Sequence, residues 1–224
     1  MVVPTPAGSL GTWDAKAIVT TMFPLLVVLC IIVLAAGITL ESAEEMIERY
    51  GILAVMVPTM VDMGGNLGAI LSSRLSSRLH LGTTSLDVRD ADLLANVAAI
   101  LALAATIFTA LAFGAWALGS LLGIGLPLAV LLTISLVSGM SVAVIAIVFS
   151  FAATYATYKL GIDPDDATIP IVTNVVDVFG MIIFIGVSWL VLFAPDDFTI
   201  PLLSATIDGL EYSLTVVLSG GLPL

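Results

Sequence analysis

Long apolar runs separated by short polar joins dominate the chain. Five runs reach the roughly 20 residues that an α-helix needs to cross a bilayer, at residues 17–40, 51–71, 93–121, 127–155 and 168–194. The pattern therefore predicts an all-α, polytopic membrane protein with five transmembrane helices per protomer. We divide it into a short cytoplasmic N-terminus (1–16), a transmembrane domain (17–194) and an acidic, apolar C-terminal tail (195–224). The tail is predicted as an amphipathic helix or a sixth transmembrane helix.

Composition and charge support a membrane protein and narrow its partners. Hydrophobic residues make up 60% of the 224-residue chain and charged residues 10%, whereas soluble domains have about 45–50% and about 25%. The net charge is −11, and a chain with no basic patch is a poor partner for nucleic acid. We therefore expect membrane lipid and cations as partners.

The distribution of basic residues predicts how the chain is oriented. Cytoplasmic loops of membrane proteins carry the excess of Lys and Arg. With five spans, five of the six basic residues fall on the side of the N-terminus: Lys16, Arg74, Arg78, Arg89 and Lys159. We therefore expect a multi-pass protein of the cell membrane with a cytoplasmic N-terminus.

Polar side chains interrupt the second and fifth spans near mid-membrane. Asp62 lies about 16 Å along the second span at about 1.5 Å per residue, and Asn66 follows one turn later. Asp177 lies about 14 Å into the fifth span by the same rise, with Thr173 and Asn174 one turn before it. The two antiparallel spans thus bring oxygen-bearing side chains to a similar depth.

These residues form the candidate metal site: Asp177 as main ligand, with Asn66, Asp62, Thr173 and Asn174. Charged groups at the centre of a span are costly and mark ion paths, relays or internal ion pairs. No Lys or Arg lies deep in any span, which disfavours a structural ion pair. Oxygen ligands without His or Cys suit Mg²⁺, Ca²⁺ or Mn²⁺, and Na⁺ could use the same oxygens. For Asp62, a pore-lining role without direct ligation stays open.

The motifs "GGNLGAILSSRLS" and "DPDDATIPIVTNVVDVFGMIIF" resemble the membrane domain of the MgtE-type magnesium transporters and their animal solute-carrier relatives. The resemblance covers residues 17–194 and implies a dimer with an ion path between spans two and five. It implies that Asp177 is the principal Mg²⁺ site, reached mainly through water. It further implies that Asn66 lines the path and that Thr173 offers its backbone carbonyl.

Two departures from the bacterial motifs bear on selectivity. Ala69 and Ile70 stand where bacterial members often have asparagine and glutamine, and Ile169 replaces an asparagine before the proline of span five. The run "SSRLSSRL" instead looks like the animal branch, which is often proposed to exchange Mg²⁺ for Na⁺. Animal members carry two such halves in one chain, so this half-size chain is expected to pair with itself or with another half-size chain.

Three functions remain to be compared. The first is transport of divalent cations, most simply Mg²⁺, as a channel or a Na⁺-coupled exchanger. The second is an accessory half-subunit of a hetero-complex. The third is an intramembrane aspartyl protease, because two mid-membrane aspartates could share a proton. Val61 and Val176 precede the aspartates where that enzyme family has other residues, so we expect no enzyme and no catalytic residues.

Overall fold

The computed structural model describes residues 15–81, 91–160 and 164–193. In these residues the chain is helical and contains no strand. The helices are α1 (Ala15–Glu41), α2 (Glu44–Arg49), α3 (Gly51–His80), α4 (Ala91–Leu122), α5 (Leu128–Leu160) and α6 (Pro164–Phe193). All except the short α2 are long and apolar enough to cross a membrane. The all-α fold with five spans is therefore confirmed, whereas the predicted tail helix lies outside the described residues.

Helix α5 is the centre of the bundle. It packs against α3, α4 and α6, whereas α1 packs chiefly on α6. Much of α1 is exposed and apolar, including Phe23, Ile31 and Leu34. Exposed apolar surface of this extent fits contact with lipid rather than with water. The molecule is therefore a membrane bundle with α5 inside and α1 at its edge.

A glycine sets the contact between α4 and α5. Gly139 of α5 faces the fully buried ring of Phe108 on α4, and a Cβ at Gly139 would overlap that ring. The Ser135 hydroxyl, one turn away, donates a hydrogen bond of 2.6 Å to the Phe108 carbonyl oxygen. Small residues and interhelical hydrogen bonds of this kind hold membrane helices together where the hydrophobic effect contributes little.

Helix α3 continues to His80, beyond the predicted end of the second span at residue 71. Leu71, Ser72 and Leu75 are buried on one face of this extension. The Ser72 hydroxyl donates to Ser150 Oγ at 3.1 Å, and Ser150 Oγ donates to the Gly68 carbonyl at 3.2 Å. One face of the helical "SSRLSSRL" run therefore packs on α5, because its buried serines and leucines recur at helical spacing, whereas Ser73 and Ser77 on another face are exposed.

The basic residues of this extension tie α3 to α4. Arg74 Nη1 donates to Asn96 Oδ1 at 3.0 Å, and Arg78 forms an ion pair of 3.5 Å with Asp92. Exposed pairs of this type contribute little to stability. They lie near the ends of their helices, far from Asp62 and Asp177.

We expect Gly139→Ala to destabilise the protein, since overpacking a filled core costs roughly 1–3 kcal/mol. The matched control is Gly114→Ala on α4, where an added Cβ has no atom within 4 Å. Thermal unfolding followed by tryptophan fluorescence in detergent should give a lower Tm for Gly139→Ala and an unchanged or slightly higher Tm for Gly114→Ala. Equal Tm values for the two variants would contradict the packing of Phe108 on Gly139.

Candidate metal site

Helices α3 and α6 approach each other closely at Gly65. A Cβ built on Gly65 would lie 3.1 Å from Asp177 Oδ1 and 3.8 Å from Thr173 Cβ. The Asp177 carboxylate therefore rests directly against the α3 backbone. Two of the predicted site residues, Asp177 and Thr173, are thus placed at the crossing of α3 with α6.

Two further glycines make this close approach possible. A Cβ on Gly64 would lie 2.6 Å from Val142 Cγ1 of α5, and a Cβ on Gly68 would lie 2.6 Å from Val172 Cγ1 of α6. Distances this short require a shift of the neighbouring side chains. The spacing of four residues puts both glycines on one side of α3, where small residues let helix backbones come together. The glycine motif in the sequence indicates a close helix approach, but it does not predict which glycine contacts Asp177.

The polar side chains of α3 contact each other. Asn66 Nδ2 donates a hydrogen bond of 3.1 Å to Asp62 Oδ2, and both residues are exposed. They lie one turn apart on the same helix face, as their spacing predicts. Since the amide nitrogen is engaged by the carboxylate, the amide oxygen of Asn66 is left to accept from, or coordinate, another group.

Asp62 on α3 lies three residues before Gly65, the position that the Asp177 carboxylate of α6 meets, so two like charges from different helices lie at about the same level of the bundle. Asp177 is half-buried and Asp62 is exposed. In a low-dielectric environment the repulsion between like charges is screened far less than in water. A cation held between or beside the two carboxylates would convert this repulsion into attraction.

Thr173 and Asn174 direct their polar hydrogens to their own helix. The Thr173 hydroxyl lies 3.0 Å from the Ile169 carbonyl oxygen and 3.2 Å from that of Pro170. Asn174 Nδ2 donates to the Pro170 carbonyl at 2.8 Å. Within the described residues, no hydrogen bond joins the Asn174 side chain to α3. Thr173 therefore lies at the crossing, whereas Asn174 lies beside it on α6.

The donor set of a single protomer is sparse. Across residues 15–81, 91–160 and 164–193, no three His, Cys, Asp or Glu side chains come together as a metal-binding group. Ca²⁺ usually takes six to eight oxygen ligands, whereas Mg²⁺ is commonly held by one or two carboxylates and keeps several waters. Two carboxylates with an amide oxygen nearby fit the second pattern.

Exposed polar side chains follow one side of α3, from the span into the extension beyond residue 71, with the exposed Ile70 between them. The members of this exposed stripe recur every three to seven residues: Thr59, Asp62, Asn66, Ser73 and Ser77. A stripe of this polarity is costly against hydrocarbon. Its members within the span, Thr59, Asp62 and Asn66, therefore need water or polypeptide rather than lipid beside them.

A cavity of about 740 Å³ opens beside the crossing, between α1, α2, α3 and α6. Glu41 and Glu44 lie at one end of it, and Val61 and Met181 are among its apolar lining. Val61 precedes Asp62, and Met181 follows Asp177 by one turn. The cavity therefore joins the acidic corner between α1 and α2 to an apolar surface of α3 and α6, and neither Asp62 nor Asp177 is among its lining residues.

The chain matches the model of a known protein family. The family model MgtE, described as a divalent cation transporter, matches residues 57–187. This range is more than half of the chain and runs from the first turns of α3 into the second half of α6. It therefore contains the whole crossing, including Asp62, Gly65 and Asp177.

The geometry of the crossing predicts that a cysteine pair at positions 65 and 173 forms a disulfide. The Cβ separation of 3.8 Å is about the mean value in protein disulfides. In a Cys30→Ser background, Gly65→Cys with Thr173→Cys should lose both free thiols on mild oxidation and regain them on reduction, as mass spectrometry after alkylation would detect. The control pair, Gly114→Cys with Thr173→Cys, should stay reduced. Persistent free thiols in the first pair, or equal oxidation of both, would contradict the crossing.

Proposed function

The chain belongs to the MgtE family of divalent cation transporters, and from that premise we propose that it carries Mg²⁺ past the crossing of α3 and α6. The family transports divalent cations, generally Mg²⁺, and is not a family of enzymes. Five apolar helices make the chain a multi-pass membrane protein. The single observation that carries the proposal is the meeting of Asp177 with the α3 backbone at Gly65.

The negative charge of a carboxylate inside a membrane span needs a compensating ion. A carboxylate at the centre of a span is expensive unless it pairs with an opposite charge or faces water. The sequence has no Lys or Arg at 50–73, the range that contains Asp62, or at 160–224, the range that contains Asp177. Neither carboxylate therefore has a basic neighbour along its own span. A transported cation supplies the missing charge, and its passage explains why the carboxylates are placed there.

The contacts of the site residues support a proposed role for each. Asp177 is the main ligand, and it binds a Mg²⁺ ion that keeps most of its water, because Mg²⁺ loses water reluctantly. Asp62 and Asn66 line the path on the α3 side, and their mutual hydrogen bond fixes the amide. Thr173 shapes the wall at the crossing, and Asn174 supports the α6 backbone beside it. Asp62 also adds negative potential that attracts a divalent ion.

The exposed stripe on α3 supports a dimer. Three of its members, Thr59, Asp62 and Asn66, lie within the span and are not covered by the described residues of their own chain. A second copy facing the stripe would enclose a water-filled path between the α3 and α6 helices of both protomers. Pairing with a different half-size chain would enclose the path in the same way. Transport could also be coupled to Na⁺, which would bind the same oxygens. The flux assay below separates these cases.

We expect Asp177→Asn to lower Mg²⁺ uptake by about tenfold or more, since it removes the charge that offsets dehydration and burial of the ion. Purified protein in liposomes with an entrapped Mg²⁺-sensitive dye measures this directly. The matched control is Glu48→Gln on α2, which removes one exposed carboxylate outside the spans and should leave uptake close to that of the wild type.

Equal uptake by the wild type and Asp177→Asn would contradict the proposed role of Asp177. Uptake that requires an opposing Na⁺ gradient would identify an exchanger. If folded wild-type protein moves no divalent ion alone but does so together with a second half-size chain, the chain is one half of a hetero-complex.

A further inference from the structure

Gly65 differs from the other glycines in the described part of the chain. The atom nearest to its hypothetical Cβ is the Asp177 carboxylate oxygen at 3.1 Å, whereas the neighbours at Gly64, Gly68 and Gly139 are apolar side-chain carbons. Other glycines, such as Gly114 and Gly186, have nothing within 4 Å. Gly65 is thus the position among them where a missing side chain gives space to a charged group.

We propose that Gly65 is a positioning residue that sets how far the Asp177 carboxylate projects into the ion path, and that it thereby favours an ion that keeps its water shell. This inference rests on the proposed function, because it concerns the same site. Because Gly65 has no side chain, the Asp177 carboxylate can pack directly against the α3 backbone and so projects less far into the path.

The effect of a side chain at position 65 depends on whether the helices or the Asp177 side chain move to accommodate it. A contact of 3.1 Å is tight, so either the helices separate or the carboxylate shifts by a few tenths of an ångström. Helices α3 and α6 are held together on both sides of Gly65 by the packing of Gly64 on Val176 and of Gly68 on Val172. The Asp177 side chain is the more mobile element and is displaced away from α3.

A displaced carboxylate changes the balance between ions. Mg²⁺ demands near-ideal octahedral geometry and loses its water reluctantly, whereas Ca²⁺ accepts flexible geometry with more protein oxygens. A carboxylate that projects further leaves less room for the water shell of Mg²⁺ and offers direct contact to Ca²⁺. Gly65→Ala should therefore weaken transport of Mg²⁺ more than transport of Ca²⁺.

The chain provides two matched controls. Gly64→Ala, the adjacent residue on α3, would contact Val142 and Val176 but no carboxylate, so it measures the cost of packing alone. Gly186→Ala, on the same helix as Asp177, has open space around the added Cβ. The first should affect both ions by the same factor, and the second should affect neither.

The test is uptake of Mg²⁺ and of Ca²⁺ into liposomes containing each full-length variant. We expect Gly65→Ala to lower the ratio of Mg²⁺ to Ca²⁺ uptake by about threefold or more, because the two ions differ in how readily they lose water. An unchanged ratio in Gly65→Ala, or an equal change in Gly64→Ala, would overturn the inference. The proposed function fails separately, through the absence of wild-type transport or through full activity of Asp177→Asn.

A stability measurement covers the case in which Gly65→Ala folds poorly. Asp177→Ala removes the carboxylate that the new Cβ would meet. If Gly65 makes room for this carboxylate, Gly65→Ala should lower the Tm clearly less in the Asp177→Ala background than in the wild-type background. An equal loss of Tm or of folded protein in both backgrounds would show that Gly65 serves helix packing alone and would overturn the inference.

Discussion

A carboxylate in the middle of a membrane span needs a compensating partner, and the arrangement around Asp177 meets that need without a basic side chain. The groups around it are the α3 backbone at Gly65, the Thr173 side chain and, at about the same level of the bundle, a second carboxylate, Asp62. None of these neutralises its charge. Water and a bound cation must therefore stabilise the Asp177 carboxylate. In a family that transports divalent cations, the transported ion can be that cation.

The rest of the bundle serves to hold α3 and α6 at this distance. Helix α5 packs against both, and the glycines of α3 let Val142 and Val172 come close. On the side of His80, hydrogen bonds from Ser72 to Ser150 and from Ser150 to the Gly68 carbonyl fix the register of α3 on α5. Small residues and buried hydroxyls therefore act together with a buried apolar cluster that includes Met60, Leu67 and Phe184, since lipid supplies apolar contacts equally well and close packing must hold the helices together.

The hydropathy pattern of the sequence predicted the helices, whereas the geometry of the candidate site depends on contacts between them. Length and hydropathy were sufficient for five spans, and a constant rise per residue was sufficient to put Asp62 and Asp177 at similar depth. The hydrogen bond between Asp62 and Asn66 follows from their spacing of four. The pairing of Gly65 with Asp177 did not follow, because it depends on the rotation and crossing of two helices. The extension of α3 to His80 was missed because its serines and arginines read as a polar join until their burial against α5 is known.

The account makes one central claim, that the crossing of α3 and α6 binds a hydrated divalent cation through Asp177. The most direct test is binding of Mn²⁺, a paramagnetic substitute for Mg²⁺, to the purified protein, followed by electron paramagnetic resonance. The account predicts a bound Mn²⁺ signal that Mg²⁺ displaces, that retains coordinated water and that Asp177→Asn abolishes. Bound Mn²⁺ that persists unchanged in Asp177→Asn would place the ion elsewhere and contradict the claim.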